Sequence, residues 1–180
     1  MAIAILVLYA VLLSFILLFS FMQLRLALAY LNKHKYTRMI PPPNFGELPI
    51  VTIQLPLYNE RHVAERLIDQ VAKMDWPHDR LEVQVIDDST DETVDLAAAR
   101  IAHWQAEGID MIHIRRADRE GFKAGALAYG LKIAKGEFIA VFDADFMPPT
   151  DMLQVTSSWC NDPKIGMVQT RWAHLNRNSN

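Results

Sequence analysis

Val83-Gln84-Val85-Ile86-Asp87-Asp88 and Phe138-Ile139-Ala140-Val141-Phe142-Asp143-Ala144-Asp145 are two apolar runs that each end in a pair of carboxylates. Short runs rich in Val and Ile read as buried strands. In an open α/β sheet, ligands bind in the crevice beyond the carboxyl ends of such strands, where acidic groups hold a cation or a polar ligand.

On either side of these runs, strand patterns alternate with helical ones. Strands are expected near 50–55, 81–87, 109–114, 137–143 and 165–170, and helices near 61–74, 92–106, 123–135 and 150–160. Val63, Leu67 and Val71 recur at i, i+4, i+8 and mark the buried stripe of the first of these helices. Ser89, Thr90 and Asp91 are cap formers ahead of the second, and Glu92 complements the positive end of its dipole. The alternation predicts βαβ units, an α/β fold with a mostly parallel sheet.

Ahead of this region, Met1 to Leu24 carry no charged side chain. As a helix that stretch crosses a hydrocarbon core of about 30 Å. A cleavable signal peptide needs a basic n-region, a shorter apolar stretch and a small-residue cleavage site, and these features are missing. Arg25, Lys33, Lys35 and Arg38 follow the span, which places the C-terminal side in the cytoplasm by the positive-inside rule, and Tyr30 and Tyr36 suit the interface. Pro41-Pro42-Pro43 cannot continue a helix. The expected organisation is therefore a transmembrane anchor over 1–31, a basic and Pro-rich linker over 32–49, and one α/β domain over 50–180. Cys160 is the single cysteine, so no disulfide framework exists, in keeping with a reducing compartment. The net charge of −3 and the absence of a dense basic patch exclude nucleic acid as a partner.

Four segments carry candidate chemistry. Leu55-Pro56-Leu57-Tyr58-Asn59-Glu60 ends a strand and offers an aromatic ring, an amide and a carboxylate, either to stack a base or, through Glu60, to start a helix. Asp87-Asp88-Ser89-Thr90-Asp91-Glu92-Thr93 crowds acids and hydroxyls at a strand-to-helix turn. Like charges so close call for a cation or a polar ligand, with Asp87 and Asp88 the ligand-facing pair. In Arg119-Glu120-Gly121-Phe122-Lys123-Ala124-Gly125-Ala126-Leu127, small residues and a lysine at a helix N-terminus make an anion site. On an extended backbone Asp143 and Asp145 face one side, so both can converge on one hard cation.

Taken together and in this order, Leu-Pro-Leu-Tyr-Asn-Glu, Val-Ile-Asp-Asp-Ser-Thr-Asp, Lys-Ala-Gly-Ala-Leu and Asp-Ala-Asp resemble glycosyltransferase family 2. The likeness is strongest to its cellulose-synthase-like and glucomannan-synthase-like membrane branch. The resemblance implies a GT-A (Rossmann-like) fold, a nucleotide-diphospho-sugar donor such as a UDP- or GDP-hexose, Mg²⁺ or Mn²⁺, and inversion to a β-glycosidic product. It places Tyr58 and Glu60 in the base-binding loop and Asp87 and Asp88 against the nucleoside. Lys123 falls on the diphosphate, Asp143 on the ribose or metal, and Asp145 on the metal.

The family's general base and its Gln-x-x-Arg-Trp motif are expected beyond Asn180, so no catalytic residue is assigned within the chain. The expectation is a donor-binding part without its acceptor half, inactive alone. Gln169-Thr170-Arg171-Trp172 is one residue short of that motif and reads as the end of a fifth strand. The acceptor implied is a growing polysaccharide. A lipid or polyprenyl phosphate acceptor is the second reading, and a non-catalytic nucleotide-sugar-binding membrane protein the third. The six histidines form no zinc-like cluster and read as surface or core residues.

Overall fold

A computed structural model describes residues 1–33 and 47–170. The Pro-rich run, Lys35, Tyr36, Arg38, Arg171 and Trp172 lie outside the described residues. The chain divides into two units, Met1–Pro41 and Pro42–Asn180. In the first, helix α1 (Ala2–Lys33) is apolar all round and its described side chains are exposed, and Ala2–Leu31 is long and apolar enough to cross a membrane.

The second unit is built on β1 (Val51–Leu57), β2 (Leu81–Asp87), β3 (Asp110–Ile114) and β4 (Phe138–Val141), with α2 (Ala64–Ala72), α3 (Thr93–Ala106), α4 (Phe122–Leu131) and α5 (Met152–Ser157) between and after them. The four strands form one sheet in the order β3-β2-β1-β4, every pair parallel. Parallel neighbours require crossovers, and α2, α3 and α4 supply them.

The two faces of the sheet differ. Val51, Ile53, Leu55 and Leu57 of β1 and Leu81, Val83 and Val85 of β2 alternate onto one face, where they form one core with Leu67, Ile68 and Val71 of α2 and Ala97 and Ile101 of α3. Of the intervening residues, Thr52, Gln54, Glu82 and Gln84 form polar rungs, while Ile86 packs with Ile114 and Ala126 in a smaller apolar cluster. Thr52 Oγ1 donates to Glu82 Oε2 at 2.6 Å and Gln54 Nε2 to Gln84 Oε1 at 3.0 Å, matching the register Thr52↔Glu82 and Gln54↔Gln84. Glu82 Oε2 also accepts the Lys135 N–H at 2.9 Å, and Thr52 Oγ1 accepts the Gly136 N–H at 2.8 Å, so the buried polar face anchors the segment that enters β4.

Residues 165–170 are not a strand: they are exposed or half-exposed and have no ladder partner among the described residues. An extended segment becomes a strand only when a neighbour accepts its backbone bonds, and among the described residues β4 pairs with β1 alone. The expected strand at 137–143 also ends early, at Val141. The final helix is short, Met152–Ser157, and continues as a 3₁₀ turn, Ser158–Asn161.

Pro56 lies inside β1, where a proline normally breaks a ladder. Gln54 carbonyl accepts the Phe142 N–H on the β4 side, whereas Leu57 carbonyl accepts the Asp88 N–H on the β2 side. Even-numbered residues of β1 therefore point their backbone toward β4, whose last pair is Gln54↔Val141. The missing N–H of Pro56 faces a place where pairing has already stopped.

Glu82→Ala is expected to leave Thr52 Oγ1 and the Lys135 N–H without their buried acceptor and to cost about 1–3 kcal/mol. Thermal unfolding followed by circular dichroism checks it, and an unchanged midpoint would show that the rung is dispensable.

Candidate active site

The chain lays β2 and β3 to one side of β1 and then returns to place β4 on the other. At this switch point the loops after β1 and β4 diverge. A cavity of about 490 Å³ opens between them, lined by Tyr58, Glu60, Asp88, Arg119, Lys123, Asp143 and Asp145 among others.

The loop after β1 is latched to the loop after β2. Asn59 adopts φ 55, the left-handed region Asn tolerates. Its Oδ1 accepts the Thr90 N–H at 2.9 Å, and its own N–H donates to Ser89 Oγ at 2.9 Å. The bond from Asp88 N–H to Leu57 carbonyl completes the latch. Tyr58 is thereby left partly exposed on the cavity wall. The Glu60 carbonyl accepts the N–H groups of Val63 and Ala64 ahead of α2, and Glu60 also lines the cavity.

Asp87 and Asp88 part company. Asp87 is fully buried and does not line the cavity. Its Oδ1 accepts from the Ser89 N–H at 2.8 Å, and its Oδ2 accepts from Arg115 at 3.2 Å and lies 3.0 Å from His113 Nε2. Burial alone raises its pKa, but the hydrogen bonds from His113 and Ser89 and the charge of Arg115 outweigh it and bring the carboxyl from 3.8 to about 2. Asp88 reaches the cavity, its two oxygens gripped by Nε and Nη2 of Arg116 at 3.0 and 2.5 Å, with both side chains less than a tenth exposed. Arg116 also donates to the carbonyls of Glu120 and Phe122, so Asp88 is tied to the loop that opens α4.

That loop depends on two glycines. Gly121 has φ 69. A Cβ on Gly125 would stand 2.0 Å from the Glu120 carbonyl oxygen, so only glycine lets the loop fold back on the helix. Lys123, in the first turn of α4, donates to Asp143 Oδ1. Asp143 and Asp145 sit on a turn after Val141 instead of an extended strand, closed by the bond from Phe146 N–H to Asp143 carbonyl. The geometry that expectation relied on is therefore absent, yet both carboxylates still line the cavity.

Six of the seven residues singled out from sequence thus line one cavity, and Asp87 stands behind it. Ser89, expected as a helix cap former, and Asn59, expected to offer its amide to a ligand, serve the latch instead, and His113, Arg115, Arg116 and Arg119 carry no role in the sequence reading. A signal for Arg115 and Arg116 was present: they follow the β3 run as Asp87 and Asp88 follow the β2 run, and with Ile86 paired to Ile114 the two pairs emerge side by side.

The sequence profile of Glycosyl transferase family 2 matches residues 52–179. The chain belongs to glycosyltransferase family 2. Among curated relatives, the probable glucomannan 4-beta-mannosyltransferase 11 of Oryza sativa subsp. japonica is 43% identical over 135 residues, which is 72% of this chain and 24% of that protein. Glucomannan 4-beta-mannosyltransferase 9 of Arabidopsis thaliana is 40% identical over 133 residues, 71% of this chain and 25% of that protein. The chain spans about a quarter of the length of these relatives. The mannosyltransferase PcManGT from Pyrobaculum calidifontis, solved in complex with GDP-Man and Mn²⁺, superposes with a TM-score of 0.63 at 30% identity, covering 78% of this chain and 41% of that one. TarS 1-349 of S. aureus, solved with UDP-GlcNAc, gives 0.53 at 25% identity over 62% of this chain and 31% of that one. The family 2 domain has the GT-A fold: a parallel four-stranded sheet with flanking helices.

The depressed pKa of Asp87 links this domain's stability to pH. A carboxyl that ionises more readily folded than unfolded stabilises the fold above its unfolded pKa near 3.8, and that contribution disappears as pH falls toward about 2. It amounts to about 2 kcal/mol. Asp87→Asn is expected to unfold at lower temperature at pH 7 and to show a flatter stability profile than wild type between pH 5 and 2. Parallel profiles for the two proteins would refute the assignment.

Proposed function

We propose that the protein is a membrane-anchored, metal-dependent inverting hexosyltransferase that uses a nucleotide-diphospho-sugar to extend a β-linked mannan or glucan. The observation that carries this reading is the convergence of Tyr58, Glu60, Asp88, Lys123, Asp143 and Asp145 on one cavity at the switch point. The named activities of the curated relatives favour mannose as the sugar, and the GDP-Man complex of PcManGT favours guanosine as the base. Helix α1 supports the anchor, and Arg25 with the basic residues that follow supports a cytoplasmic site.

The donor set fits a hard divalent cation. Asp145 has no ion-pair partner among the described residues, and Asp143 is two residues away, held by Lys123. Among the described residues no group of three acidic, histidine or cysteine side chains could hold an ion by itself. Mg²⁺ and similar ions bind through one or two carboxylates and complete their shell with water and substrate phosphates. Asp145, with Asp143, would hold the ion, which when bound supplies Lewis-acid neutralisation of the departing diphosphate.

The protein's own groups perform the rest. Tyr58 offers its ring to the base, and Asp88, fixed in orientation by Arg116, presents carboxylate oxygen as an acceptor for base or ribose N–H and O–H groups. Lys123 exchanges Asp143 for the diphosphate as negative charge builds on the leaving group. The helix N-terminus at Phe122 and Lys123 adds its partial positive charge.

Calorimetry on the folded, detergent-solubilised chain tests this. GDP is expected to bind more tightly than UDP, and Mn²⁺ to strengthen binding. Asp145→Ala should weaken the Mn²⁺-dependent part about tenfold or more, equivalent to at least ~1.4 kcal/mol. Equal binding with and without Mn²⁺ in both proteins would overturn the metal assignment.

A further inference from the structure

Arg119 has an unusual setting. Its guanidinium carbon lies 3.3 Å from the centroid of the Tyr58 ring and 5.2 Å from that of Phe122. Its Nε is buried with no hydrogen-bond partner. The neighbouring cations are all paired, Arg115 with Asp87, Arg116 with Asp88, and Lys123 with Asp143. Among the described residues that line the cavity, Arg119 is the cation with no carboxylate. Phe122, its second aromatic neighbour, adopts φ 49, a conformation costly for a bulky side chain, and is two-thirds exposed.

An arginine stacked on an aromatic ring gains about 0.5–2 kcal/mol, less than its bidentate bonds to a phosphate supply. A guanidinium at 3.3 Å covers the face of Tyr58. A base that stacks on that face displaces it. The displaced group is always charged, planar and unpaired, and its Nε already lacks a partner.

We infer that Arg119 is a further donor-binding residue, held on the ring of Tyr58 and transferred to the diphosphate when a nucleotide takes the ring face. The inference rests on the donor-site reading above and deepens it. Tyr58 then serves two occupants in turn, and the fork of Arg119 adds to the point charge of Lys123 on the same phosphates.

The test compares nucleoside diphosphates with nucleosides, since only the former carry the group Arg119 is assigned to. Calorimetry on the folded full chain in detergent would measure GDP, UDP, guanosine and uridine against wild type, Arg119→Ala and Arg119→Lys. Arg119→Ala is expected to weaken the diphosphates about tenfold and to flatten their salt dependence, while the nucleosides bind as well as before or more tightly because the ring is uncovered. Arg119→Lys should recover part of the loss. Arg119→Gln carries the same test if circular dichroism shows that the alanine variant is unfolded. Unchanged diphosphate binding in the variants overturns the assignment to Arg119 alone. An equal loss for nucleosides also overturns it, because the contact would then be to the base. Absence of GDP and UDP binding by wild type overturns the donor-site reading itself.

Discussion

Strand β1 has parallel neighbours on both sides, β2 and β4, and the chain reaches them by moving across the sheet in opposite directions. The loop after β1 must then leave toward β2, while the chain leaving β4 has no such neighbour to follow among the described residues. The crevice between them is a consequence of strand order and needs no special sequence to open it. Pro56 sharpens it, because its missing donor lies on the side where β4 pairing has ended. Tyr58 and Glu60 on one lip and Asp143 and Asp145 on the other face a common space for the same reason.

Charge pairing decides which groups in that space remain available. Asp87 and Asp88 leave β2 opposite Arg115 and Arg116 leaving β3, so the register that builds the sheet also neutralises the acidic pair. A buried carboxylate without such a partner would take up a proton instead of staying charged. Here the partners hold both acids in fixed orientation, one behind the wall and one on it. Lys123 engages Asp143 across the cavity. Among the described lining residues, Glu60 and Asp145 are then acids without an ion pair and Arg119 a cation without one. A divalent cation bound to a diphosphate presents the complementary pattern.

The strand cores were legible because β1 and β2 carry unbroken apolar or alternating runs, and their burial erases any other reading. The carboxylates at the strand ends were legible for the same reason, since acids do not end buried strands without cause. The split between Asp87 and Asp88 was not, because consecutive residues of a strand point to opposite sides and the side depends on register. Nor was Arg119: its role follows from a turn built on Gly121 and Gly125, and from a ring more than sixty positions earlier in the chain. The fifth strand was misread because Ile165 to Thr170 suits extension by composition, whereas strand formation depends on a partner edge that composition does not report.

The polar underside of the sheet explains how the C-terminal half of α4, the end opposite Lys123, is seated. Within that helix Ala126 and Gly130 are the buried residues, so it rests on the sheet by small side chains and its own backbone. A Cβ on Gly130 would stand 2.6 Å from Gln84 Oε1 and 2.7 Å from Gln54 Nε2. Gln54 also donates toward the Leu127 carbonyl at 3.4 Å. An apolar sheet face would leave those close backbone groups without partners, which is the costly outcome in a low-dielectric interior. The Thr52–Glu82 and Gln54–Gln84 rungs therefore belong to the site although none of them lines it. They fix the C-terminal half of α4 and the approach to β4, so that Lys123 at one end and Asp143 beyond the other meet across the cavity.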